Sequence, residues 1–267
     1  MARRQRRKPK TGSKLSRRRY QILLLSLIVI LLTYFLWPRP RLTSQREYGV
    51  TIVDAFYSSS PQFTDKLREF LTSNGIRTEF YRDSNITVEF YKNLPKHSKT
   101  ILLLRVHAGI FAKDPTSPTY LFTREPYTSS SYFFEQLTGQ VLSGVTNPDD
   151  KTETPVFTVG PAFIAASMEG TLNDTFIILS SCLGLYNSQL GEEFIKKGAK
   201  AFISWDEKVS LYHTDEAISL LIRTLLQDGG TMSEAVGKVM KEVGEDETYH
   251  SQLKYYPKEA GSLRAKL

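Results

Sequence analysis

Residues 100–109 read TILLLRVHAG, and this stretch decides the fold. From Ile101 to Val106 only Arg105 interrupts the apolar run. It is too short for a buried helix and too unbroken for a strand with one wet face. A strand covered on both sides, as in a parallel sheet, is what such a run specifies. Two more runs of the same kind follow, Thr175–Ser180 (TFIILS) and Ala201–Trp205 (AFISW). Upstream, Tyr48–Phe56 (YGVTIVDAF) and Ile76–Tyr81 (IRTEFY) add two further strands.

Between the strands the apolar period changes to that of a helix. Phe63, Leu67, Phe70 and Leu71 share one face, closed by Asn74-Gly75. Residues 85–95 keep Val88, Tyr91 and Leu94 in phase, with Pro95 as a stop. Leu190–Lys197 ends at Gly198. Ile218, Leu221, Ile222 and Leu225 form another face ending at Gly229. The last helix opens on the capping box Thr231-x-x-Glu234 and carries Val236, Val239, Met240 and Val243. Residues 110–172 predict a short strand near Tyr120–Thr123, a helix over Ser131–Val141 and a further segment over Pro155–Met168. Alternating strands and helices specify an α/β class, with a mostly parallel sheet between two helical layers over residues 48–267.

The formal charge of the 267 residues is +7, but it is unevenly placed. Residues 1–41 hold 12 of the 35 Lys and Arg and no acid. The remainder therefore has 23 basic against 28 acidic residues, a net charge of −5. The basic excess belongs to a tail, which argues against a nucleic-acid-binding domain. Residues 1–19 form that tail and are followed by an apolar run from Ile22 to Trp37, about 24 Å long as a helix. With Tyr20 and Gln21 it makes a candidate transmembrane span over 20–37, with Tyr34, Phe35 and Trp37 suited to the interface. The run ends in Leu36-Trp37-Pro38 rather than a small-x-small cleavage site, so it reads as an uncleaved signal anchor. Ten basic residues before it place the tail in the cytoplasm and residues 48–267 outside, beyond a linker over 38–47. The expected localisation is the cell membrane, with a single pass.

One cysteine, Cys182, excludes an internal disulfide framework, a CxxC redox pair and a cysteine-ligated zinc site. No HExxH, GxSxG or P-loop pattern is present, and the sequence predicts neither a metal nor a cofactor. Two strand ends carry chemistry instead, His107-Ala108-Gly109 and Ser181-Cys182-Leu183-Gly184. Carboxyl ends of strands in open α/β sheets are where ligands bind. A thiol and an imidazole brought together there make a nucleophile and its base. Asp206 is placed by its strand end to meet a basic substrate side chain, with Trp205 as a flat wall. His213, at a helix start beyond that strand, is a further candidate for the cleft.

The order and spacing of these motifs resemble the caspase-like cysteine peptidases, which include caspases, metacaspases, legumain, clostripain, gingipains and the CHAT domains. In that group histidine ends one central strand, usually followed by glycine, and cysteine ends the next. The stretch from Gly191 through Gly198-Ala199 to Ala201–Asp206 is similar to the CHAT pattern of helix, Gly-Ala, strand and tryptophan. The resemblance implies a three-layer caspase-like fold and a cysteine endopeptidase acting on a peptide or protein substrate. It further implies Cys182 as nucleophile, His107 as base and an oxyanion hole from the backbone N–H groups of Ala108 and Cys182. Ala108 stands in the usual glycine position, and Ser180-Ser181 replaces the usual acidic or Gln-Ala lead. A catalytically inactive surface binding domain of the same fold is the alternative.

Overall fold

The computed structural model describes residues 48–111 and 116–265, together with Gln21 and Leu24. The chain divides into two compact units, Met1–Gln45 and Arg46–Leu267. The basic tail, the span over 20–37 and the linker expected from the sequence lie outside the described residues, apart from Gln21 and Leu24. Among the described residues no helix is long and apolar enough to cross a membrane.

In chain order the second unit runs β1 (Val50–Asp54), α1 (Gln62–Ser73), β2 (Thr78–Arg82), α2 (Val88–Lys92), α3 (Leu94–His97) and β3 (Ile101–Arg105). Next come β4 (Ala108–Ile110), β5 (Thr119–Pro126), α4 (Phe133–Leu137), β6 (Val141–Gly144), β7 (Val156–Val159) and α5 (Pro161–Ala166). The chain continues with β8 (Phe176–Ser180), α6 (Gln189–Lys196), β9 (Ala201–Trp205), α7 (Leu211–Leu226), α8 (Met232–Glu242) and β10 (Leu253–Tyr256).

The main sheet has the order β10-β9-β8-β3-β1-β2, parallel throughout except for β10 on the edge. β1, β3, β8 and β9 are buried along their whole length, as their unbroken apolar runs require. Alternate side chains enter two cores. Ile101, Leu103, Phe176 and Ile178 pack with α1, α7 and α8. Leu102, Leu104, Ile177 and Leu179 pack with α2, α3, α5 and α6. The class and the mostly parallel sheet are as the sequence predicts.

The region between β3 and β8 differs from the sequence expectation. Its strands form a second, antiparallel sheet in the order β4-β5-β7-β6. The helix expected over 131–141 shrinks to α4, because Gly139 turns with φ +68° and Val141 goes fully buried into the second core. The segment over 155–168 splits at Gly160-Pro161 into β7 and α5, proline suiting the first turn of a helix. For the same reason Pro95 does not stop one long helix but begins the short α3.

Candidate functional site

The pairing of β3 with β8 aligns Arg105 with Ser180. His107 and Cys182 each stand two residues beyond that pair. Adjacent strands lie ~4.8 Å apart, so the two residues leave the carboxyl edge from neighbouring strands. Alternation along β3 and β8 sends Arg105 and Ser180 to the α7 side, and Cys182 packs against that same core.

The residues just below are tightly knotted. Arg105 is fully buried, and its Nη1 donates to Asp54 Oδ1 at 2.8 Å. Its Nε and Nη2 donate to Asp215 Oδ1 and Oδ2, each at 2.8 Å, a bidentate fork. Asp54 also accepts from the Thr64 hydroxyl at 2.6 Å and from Phe56 N–H at 2.8 Å. Burial raises the Asp215 carboxyl above its ordinary range, although the Arg105 fork pulls the other way. Next to the knot, the Thr214 hydroxyl meets Ser180 Oγ at 3.0 Å and accepts from Trp205 Nε1 at 2.9 Å. None of Arg105, Asp54, Thr214 or Asp215 was assigned this role from sequence. Arg105 in an otherwise apolar buried strand was the signal, since such a cation needs buried carboxylates.

The turn that presents Cys182 is pinned on every side. Leu183 has φ +60°, a strained value for a branched side chain. Its N–H donates to Glu207 O at 2.9 Å, and its carbonyl accepts from Thr119 Oγ1 at 2.6 Å. Gly184 is required, because a Cβ there would collide with the Ser204 side chain. Cys182 Sγ lies 3.6 Å from Val209 O and 3.5 Å from Val209 N, so the loop after β9 covers the sulfur. That loop is fixed by Asp246, which accepts from Ser210 N–H at 2.9 Å and Ser210 Oγ at 2.8 Å.

His107 sits between aromatic rings, edge-on to Phe56 at 4.4 Å and to Phe122 at 6.2 Å between centroids. Burial lowers its pKa, with Arg124 adding to the effect and Glu153 opposing it, which favours the neutral imidazole. Burial raises the Cys182 thiol above its ordinary value, against the lowering effects of Val209 and Lys208. Among the described residues no hydrogen bond joins His107 to Cys182, and neither ring nitrogen of His107 has a partner. Both shifts favour the uncharged forms.

The backbone donors beside them are open. Phe122 N–H donates to His107 O at 2.9 Å, which sets the hydrogen-bond phase of β4 against β5. In that phase Ala108, opposite Leu121, is a non-hydrogen-bonded position. Its N–H points out of β4, which is the edge strand of its sheet. No other described residue accepts from Cys182 N–H.

The remaining candidates are engaged elsewhere. Asp206 accepts from Gln252 N–H at 2.8 Å and pairs with Lys254 at 2.6 Å, fastening β10 to the loop after β9. Trp205 is 0% exposed, which leaves neither face open to a ligand. His213 packs on Trp205 with ring centroids 5.2 Å apart, and its Nε2 lies 3.2 Å from Gly244 O. Among the described residues no group of three His, Cys, Asp or Glu side chains converges in a way that would hold a metal ion. Compared with protein-family models and with the curated proteins, the sequence matches none.

Proposed function

We propose that this chain is a membrane-anchored cysteine endopeptidase of caspase-like type, with its α/β domain facing away from the cytoplasm. The observation that carries the reading is the pairing of Arg105 with Ser180 on neighbouring parallel strands, with His107 and Cys182 each two residues further along the chain. A peptide carbonyl seated there would be attacked by Cys182 Sγ as the neutral His107 takes the thiol proton. The open N–H groups of Ala108 and Cys182 would receive the developing oxyanion, a contact worth about 3–4 kcal/mol per donor in well-studied peptidases. His107 would then hand its proton to the leaving amine. Asp206 would take part in binding a basic side chain only by exchanging Lys254 for it. The orientation rests on the charge asymmetry around residues 20–37, and protease added to intact cells should remove residues 48–267 while sparing the tail.

The full-length protein, treated with thiol-reactive peptidyl ketones and a diverse peptide library, tests the activity. Labelling confined to Cys182, with cleavage lost by about 10³-fold or more in Cys182→Ala and His107→Ala, is expected. Intact peptides and an unlabelled Cys182 would overturn it. A second reading, a non-catalytic binding domain, is favoured by the covered thiol and the absent imidazole hydrogen bond. Under that reading peptides bind equally well to wild type and Cys182→Ala, and none is cut.

A further inference from the structure

On the outer face of the antiparallel sheet lies a pocket of about 610 Å³, a size that suits a small ligand or a large side chain. Its walls include Gly109, Phe111, Tyr120, Phe122, Val145 and Pro148, and the described residues lining it bear no charge. Phe111 is 49% exposed, an unusual amount for a phenylalanine, and its ring meets Tyr120 edge-on at 6.1 Å. The pocket adjoins the histidine directly. Phe122 is a wall of the pocket and also the ring against His107, while Gly109 is two residues further along the chain.

Cys182 lies toward the loop after β9, where its sulfur meets Val209. In a thiol–imidazole mechanism the histidine protonates the leaving amine, so the chain released first lies on the histidine's side of the scissile bond. We propose that this pocket is the subsite for a bulky apolar side chain, Phe, Tyr, Leu or Ile, in the first two residues after the scissile bond. The proposal rests on the peptidase reading above. Its chemistry is legible in the walls: aromatic rings and no charge favour an apolar side chain and disfavour a charged one. Space for that side chain is kept by Gly109, where an added Cβ would meet only Phe122, at 3.7 Å.

The test uses the full-length protein and a matched peptide series with Phe, Leu, Ala, Lys or Asp at each of those two positions. Wild type should cut the Phe and Leu peptides at least ~10-fold faster than the Ala peptide, in kcat/KM, at one of the two positions. Gly109→Leu fills the pocket without backbone strain and should reduce that ratio to near unity, leaving the Ala peptide less affected. Phe111→Ala removes an exposed wall and should lower the ratio several-fold, which keeps the test valid if Gly109→Leu folds poorly. Cleavage with no apolar preference, or a ratio unchanged in both variants, overturns the pocket while the peptidase reading stands. If no peptide is cut and Cys182 is not labelled, the peptidase reading falls. Binding of Phe-Ala-Ala-amide against Ala-Ala-Ala-amide to Cys182→Ala then decides the pocket alone. Tighter Phe binding that Gly109→Leu abolishes supports it, and equal binding overturns it.

Discussion

Two layers of the same sheet edge, only two residues apart, are built on opposite principles. Arg105 closes β3 with its guanidinium forked to Asp215 and bonded to Asp54, and it also lies 3.3 Å from Ser60 O. Two residues further along each strand, His107 and Cys182 have no hydrogen bond between them, and among the described residues no carboxylate bonds to the imidazole. The lower layer satisfies its charges internally, so it is stiff and unreactive. In the upper layer, among the described residues, the imidazole nitrogens have no hydrogen-bond partner, and the thiol meets only the Val209 backbone. The fold seats His107 and Cys182 on an internally paired ionic floor.

The largest expected effect breaks the floor. Arg105→Met leaves two carboxylates buried or half-buried without their cation and should cost about 3–5 kcal/mol. Urea unfolding monitored by circular dichroism measures it. Adding Asp54→Asn and Asp215→Asn to Arg105→Met removes the uncompensated charges and should restore part of the loss. Cys182→Ser, by contrast, should change stability by no more than about 1 kcal/mol, since a hydroxyl can keep the sulfur's contacts to the Val209 backbone. Equal losses in the two layers would erase the distinction between them.

That knot also shows how far the sequence could be read. The parallel strands were legible because burial on both faces forces an unbroken apolar run, and Ala201–Trp205 matches β9 to the residue. The strand ends bearing His107 and Cys182 were legible for the same reason. The pairing of Arg105 with Ser180 that precedes them was not, since it joins strands 75 residues apart. The antiparallel sheet escaped because β5 alternates cleanly but buries Thr119 and Thr123 beside Leu121, so no apolar period marks the strand, and Val156–Val159 is too short to show one. Trp205 was misleading as a pocket wall because its indole N–H needed a buried partner and found Thr214. Asp206 had the charge and position expected of a specificity residue, but Lys254 of β10 reaches it, and β10 was not foreseen from sequence.

A smaller effect concerns the cover over the thiol. Burial alone would raise the Asp246 carboxyl, but hydrogen bonds from Ser210 N–H and hydroxyl and from Tyr249 and Thr248 N–H hold it at about 2. A carboxyl held below its ordinary value stabilises the fold above its unfolded pKa, near 4. That contribution, about 2 kcal/mol, is lost as pH falls from about 4 to 2. Asp215 acts in the opposite sense: its raised pKa means that the folded state gains relative stability as acid protonates it. Asp246→Asn should therefore lose about 2 kcal/mol at pH 7 and flatten the acid limb of a stability–pH profile. It should also free Ser210 and loosen Val209 over Cys182. A profile as steep in Asp246→Asn as in wild type would place the acid sensitivity elsewhere.

The smallest effect sharpens the comparison at the thiol itself. In the resting protein Cys182 is held above the ordinary thiol value by burial, with Lys208 and the Val209 backbone opposing. Iodoacetamide alkylation of the single cysteine reads this directly, because the thiolate is the reacting species. The apparent midpoint should lie above the ~8.5 of a free cysteine. Lys208→Ala, which removes a favourable charge, should move it further up. His107→Ala should leave it in place, since the neutral imidazole makes no hydrogen bond to the sulfur. Asp246→Asn should speed alkylation at fixed pH by uncovering the sulfur, without requiring His107. A midpoint below ~8.5 that rises in His107→Ala would mean the two side chains already form an ion pair. The upper layer would then be as internally paired as the Arg105 layer beneath it, and the contrast between the two would fail.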